Sequence, residues 1–151
     1  MINKTTIIIA TSAPKKFKLG AAIIKWWQKT DFSHVLIIKD DIVYQASHGY
    51  VNATHIDVFL EENIIFNSYT VDESTVDFEF IKRQLGKHYG YKQLINIASR
   101  YLFGIRLFKR DGNSRFICSE FVGKALKLDW ITDETTPLEI DTYLRTKNGC
   151  C

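Results

Sequence analysis

The stretch SHVLIIKDDIVYQAS, residues 33–47, decides the fold. Residues 35–38 are all apolar, which is typical of a strand that is buried on both faces near the centre of a sheet. Asp40 and Asp41 predict a two-residue turn, after which residues 42–47 return as the partner strand. The sequence therefore predicts an antiparallel hairpin near the centre of the sheet.

The hairpin also predicts which side chains meet. With a two-residue turn, paired residue numbers sum to 81, so His34 lies opposite Ser47 and Gln45 is its diagonal neighbour on the same face. The amide oxygen of Gln45 could then accept the Nδ1–H of His34 and leave Nε2 facing a nucleophile. A turn one residue longer would bring His48 onto that face, so His48 is the reserve third member.

A second stretch, RFICSEFVGKAL (residues 115–126), supplies a nucleophile for that histidine. Apolar residues recur three, four, seven and eight positions after Cys118, which predicts an amphipathic helix with Cys118 in its first turn. Unpaired N–H groups and the positive end of the helix dipole would stabilise a thiolate there. The alternative interpretation is a small buried side chain without a catalytic role.

Around these two stretches the pattern predicts an α+β fold, with a small antiparallel sheet and helices before, within and after it. Pro137 suits the first turn of the last helix. Further strands are predicted near residues 7–10 and 64–71, and further helices near 19–27, 76–85 and 91–103. Residues 50–63 predict a short strand followed by a turn of helix.

Length and composition favour one domain over residues 1–151, with the last few residues disordered. The apolar run at 7–10 is too short for a secretory signal and no segment is long enough to span a membrane, which predicts a cytoplasmic protein. No metal-binding spacing is found among the three cysteines and four histidines, so we expect neither metal nor cofactor. Cys150 and Cys151 have no predicted role.

The net charge of +3 is too small to indicate a nucleic-acid partner. Basic residues cluster at 15–18 and 100–115, where a weak contact with an anionic membrane is possible alongside the simpler interpretation of a solvated face. The apolar segment LINIASRYLFGIRLF (residues 94–108) could rest on such a surface, although packing against the core is the simpler expectation.

Taken in order, FSHVLII, IVYQAS, LGKHYGY, FICSEFVGKAL and TPLEI resemble the circularly permuted branch of the NlpC/P60 papain-like superfamily. The resemblance is greatest to the YiiX/YebB-like cysteine hydrolases, with lecithin:retinol acyltransferase-like proteins and a poxvirus group more distant. It covers residues 7–144, and the permuted branch shares the order seen here, with histidine before cysteine.

The resemblance implies a permuted papain-like fold with Cys118 as nucleophile, His34 as base and Gln45 as third member. Relatives commonly carry Glu or His where this chain has Gln45. Ser119 and Tyr89 would line the cleft or help to hold the oxyanion.

Three functions follow as expectations. The first is a metal-free cysteine hydrolase that cleaves an amide or ester through a thioester acyl-enzyme, acting on a peptide, a peptidoglycan fragment or an acylated small molecule. The second is an acyltransferase or acyl hydrolase directed at lipid on a membrane surface. The third is an inactive binding module on the same fold.

Overall fold

A computed structural model describes residues 6–47, 49–109 and 115–149. Within these ranges the chain forms a mixed α+β structure. The strands are β1 (Ile7–Pro14), β2 (His34–Lys39), β3 (Ile42–Ser47), β4 (Tyr50–His55), β5 (Asn63–Val71), β6 (His88–Tyr89) and β7 (Arg115–Phe116). The helices are α1 (Leu19–Gln28), α2 (Ile56–Glu62), α3 (Phe78–Gln84), α4 (Tyr91–Phe103), α5 (Cys118–Ala125) and α6 (Pro137–Lys147).

The predicted hairpin is confirmed. Asp40 and Asp41 have φ of 51° and 61°, the left-handed conformation of a tight two-residue hairpin turn. Lys39 pairs with Ile42 and Ile37 with Tyr44, so the paired numbers sum to 81 as expected. β2 and β3 lie third and fourth in the strand order β5-β1-β2-β3-β4-β6-β7.

Both faces of β2 are buried, which explains its unbroken apolar run. Val35 and Ile37 join the main core, to which α5 and α6 contribute Phe121, Val122 and Ile140. Leu36 points to the other side, into a smaller cluster closed by Phe59 of α2. As expected, the cysteine-bearing helix packs across β2 and β3.

The sheet differs from the expected small antiparallel one in size and direction. It has seven strands, and its last pair, β6 and β7, is parallel. His88 pairs in β6 with Tyr50 and Arg115. Strands of two residues carry no periodicity, so the pattern could not reveal them. No helix in the described part of the chain is long and apolar enough to cross a bilayer.

Candidate active site

Cys118 is the first residue of α5 and is only 4% exposed. Burial raises the pKa of its thiol from an ordinary 9.0 to about 11, because the charged form is deprived of water. The backbone N–H groups of Val35, Ser119 and Cys118 and the hydroxyl of Ser119 lower the pKa in turn, without cancelling that rise. The expectation of a stabilised thiolate is therefore wrong for the free protein, since desolvation outweighs the helix terminus.

His34 and Gln45 meet as the hairpin predicts. Gln45 Oε1 lies 2.8 Å from His34 Nε2. As an amide oxygen only accepts, Nε2–H is the donor and Nδ1 carries the lone pair. The expected contact through Nδ1 is wrong in this detail, and Nδ1 becomes the ring nitrogen that can accept a proton.

Asn52, which was not predicted from the sequence, holds the side-chain amide of Gln45. Asn52 lies directly opposite Gln45 across β3 and β4, and its Oδ1 accepts from Gln45 Nε2 at 3.4 Å. The same oxygen accepts from the hydroxyl of Thr54 at 3.3 Å, which fixes the amide of Asn52. The two strands are only two residues apart in the sequence, and that short separation could have predicted this pair, because it sets the register of β3 on β4.

Tyr89 reaches the site through the parallel strand pair. It lies beside Phe116, two residues before the cysteine, and Gly90 N–H donates to the carbonyl of Phe116 at 2.9 Å. Burial raises the pKa of Tyr89 well above its ordinary value, and the charge of an ionised Cys118 and that of Tyr91 raise it further. The phenol therefore stays protonated beside the thiol and can donate a hydrogen bond.

Ser119 is oriented differently from a cleft residue. It is fully buried, and its hydroxyl donates to the carbonyl of Thr135, which ties α5 to the loop before α6. The same hydroxyl is near enough to the Cys118 thiol to lower its pKa, and the backbone N–H groups at the start of α5 are the candidate oxyanion donors.

The site is divided between two neighbouring cavities. His34, Gln45 and Tyr89 line one of about 250 Å³. Cys118 and Ser119 line a small one of about 10 Å³, room for about one water molecule. Both cavities are lined by Ile24, Tyr89 and Leu94, so these three side chains stand between the thiol and the larger space. A larger cavity of about 330 Å³ beside Arg100 and Glu134 contains none of the predicted site residues.

The reserve residue His48 lies outside the described residues, as do Cys150 and Cys151. Over residues 6–47, 49–109 and 115–149, no group of three or more His, Cys, Asp or Glu side chains could hold a metal ion.

Comparison with known proteins identifies no family for the chain. No protein-family model matches the chain, and no curated protein matches it.

Proposed function

We propose that the protein is a cysteine hydrolase of the permuted papain-like type, which cleaves an amide or ester by acyl transfer. The observation that carries the proposal is the 2.8 Å bond from His34 Nε2 to Gln45 Oε1 on β2 and β3, the two strands against which the helix that begins at Cys118 packs. The backbone N–H of Val35, the residue that follows His34 in β2, is near enough to the Cys118 thiol to lower its pKa. A cysteine, a histidine and an amide that fixes the imidazole are the parts that acyl transfer needs.

His34 acts in turn as base and as acid in the proposed acylation and deacylation of Cys118. Nδ1 of His34 takes the proton of the Cys118 thiol while Sγ forms a bond to the substrate carbonyl carbon. The oxyanion is held by backbone N–H groups at the start of α5 and by the phenol of Tyr89. The imidazolium then gives its proton to the leaving amine or alcohol, and a thioester remains. In the second half, the same imidazole takes a proton from water as its oxygen attacks the thioester carbonyl. The C–S bond then breaks, the carboxylic acid product leaves, and the imidazolium returns its proton to Sγ of Cys118.

The raised pKa of Cys118 determines how the nucleophile is activated. A thiol with a pKa of about 11 is protonated at neutral pH, so the nucleophile of the free protein is a thiol that must lose its proton for the attack. Because Gln45 is neutral, it orients the imidazole without stabilising an imidazolium as a carboxylate would. The proton therefore moves during attack, in general-base catalysis, and the substrate must reach a thiol that Ile24, Tyr89 and Leu94 now cover.

The second candidate is a binding module, and the same burial of Cys118 favours it. A nucleophile that is 4% exposed and protonated performs no chemistry unless the wall of the small cavity moves. In that case the cavity of about 250 Å³ would bind a ligand that the protein does not cleave.

Turnover and covalent labelling distinguish the two candidates. The wild-type protein is incubated with an electrophilic acyl probe and with peptide and acyl-ester reporters, and Cys118→Ser, His34→Ala and Gln45→Ala are compared with it. We expect each variant to lose at least tenfold in kcat, and Gln45→Glu to retain or raise it. His88→Ala and Gln84→Ala are the matched controls and should keep wild-type turnover. Loss of turnover in the controls to the same extent would refute the hydrolase, as would equal acyl labelling with and without Cys118→Ser in a Cys150→Ser, Cys151→Ser background.

A further inference from the structure

Helices α1 and α4 leave a large apolar surface uncovered beside the candidate site. We name it the α1–α4 face and define it by the exposed residues Phe17, Leu19, Ile23, Trp26, Tyr91, Ile95, Leu102, Phe103, Ile105 and Leu107. Phe17, Trp26 and Phe103 are 81%, 68% and 73% exposed. Contiguous apolar surface of this kind usually marks an interaction site.

The exposed apolar residues follow helical spacing, so each helix presents them as a stripe. Positions 19, 23 and 26 share one side of α1, and positions 91, 95 and 102 share one side of α4. Trp27 stacks on Tyr101 with ring centroids 5.1 Å apart, so the two helices lie side by side. Both line the cavity that contains His34, through Ile24 and Leu94 among others.

Helix α4 buries mainly polar side chains. Gln93, Asn96 and Ser99 are each at most 5% exposed, and Ile97 is the apolar residue of α4 that is buried with them. Asn96 holds the backbone of Phe108 with two hydrogen bonds of 2.8 and 2.9 Å. Ser99 Oγ donates to the carbonyl of Ile105 at 2.9 Å. The buried polar residues thus hold the segment after α4 in place, and the apolar side chains are presented outward by a formed structure.

Charge is segregated onto the same two segments. Residues 15–30 and 91–109 contain nine of the 20 basic residues and none of the 17 acidic ones, although the whole chain has a net charge of only +3. Asp133 and Glu134 pair with Arg106 and Arg100, and the other seven basic residues of these segments are lysines. Apolar side chains with lysines around them complement a bilayer surface that carries negative headgroups.

We propose that the α1–α4 face docks on an anionic lipid bilayer. The apolar stripes enter the boundary between headgroups and acyl chains, and the lysines contact the headgroups. The mouth of the cavity with His34 then opens toward the lipid. The consequence, which rests on the proposed function, is that the scissile amide or ester belongs to an amphiphile held in that membrane.

Vesicle binding tests the docking without requiring catalysis. Cys118→Ala protein is sedimented with vesicles of phosphatidylcholine alone and of phosphatidylcholine with phosphatidylglycerol. We expect partitioning to be at least tenfold stronger with the anionic lipid and to fall as salt rises. Trp26→Ser with Phe103→Ser, and separately Lys16→Glu with Lys109→Glu, should each weaken it at least tenfold.

Matched variants show whether the effect belongs to this face. Ile64→Ser with Phe66→Ser removes two exposed apolar side chains from β5, and Lys82→Glu with Lys147→Glu reverses two charges elsewhere. Both should bind as strongly as the parent. Absence of vesicle binding, equal loss in these controls, or self-association through Trp26 and Phe103 in place of binding would each overturn the proposal. A protein that binds vesicles but cleaves no amide or ester would instead overturn the proposed function alone.

Discussion

The pH dependence of Cys118 alkylation offers the sharpest check on the site. Iodoacetamide reacts with the thiolate, so the rate follows the ionised fraction. Burial raises the pKa of Cys118 from 9.0 to about 11, which lowers that fraction at pH 7 from about 1% to about 0.01%. We expect Cys118 to react about a hundredfold more slowly than an ordinary thiol, before any hindrance from its 4% exposure.

The assay uses a Cys150→Ser, Cys151→Ser background, which leaves Cys118 as the one cysteine. Because the raised pKa favours the protonated form, the rate should climb about tenfold per pH unit from pH 7 to pH 10 and level off near pH 11. Urea-unfolded protein is the control, and its rate should level off about two units lower. A rate in the folded protein that is already constant between pH 6 and pH 8 would show a preformed thiolate–imidazolium pair and refute this reasoning.

Three further predictions concern the supports of the site and the core. Asn52→Ala should lower kcat about tenfold at an unchanged KM in steady-state assays, because the Nε2 of Gln45 loses its hydrogen-bond acceptor. An unchanged kcat would exclude a positioning role for Asn52. Asp141→Ala should lower the free energy of unfolding by about 3 kcal/mol in urea titrations, since this buried carboxylate accepts from three side chains, and a loss under about 1 kcal/mol would contradict that estimate. Gly123→Ala should cost about 1–3 kcal/mol in the same titration despite the better helix propensity of alanine, because the added Cβ would lie 2.3 Å from Ile131 Cδ1; a stabilised variant would show that Ile131 moves aside.

The sequence determined the local geometry of the site. Asp40 and Asp41 define a two-residue turn, and because strand side chains alternate with a period of two, that turn alone places Gln45 beside His34. The period of the apolar residues after Cys118 likewise fixes the start of α5. The last helix begins at Pro137 behind a Thr136–Glu139 capping box, a pattern that can be recognised from neighbouring residues.

Tertiary structure decided the properties that depend on residues distant in the chain. The parallel pairing of β6 with β7 brings Tyr89 to Cys118 although 28 residues separate them in the sequence, and strands this short have no periodicity to reveal their pairing. The pKa of Cys118 reversed its expected direction because desolvation depends on everything packed around the thiol, whereas the helix terminus is a local feature. Helical spacing likewise shows which residues of α4 share a side, but not which side faces inward. That was decided by Asn96 and Ser99, whose buried hydrogen bonds to the following segment leave the apolar side of α4 exposed.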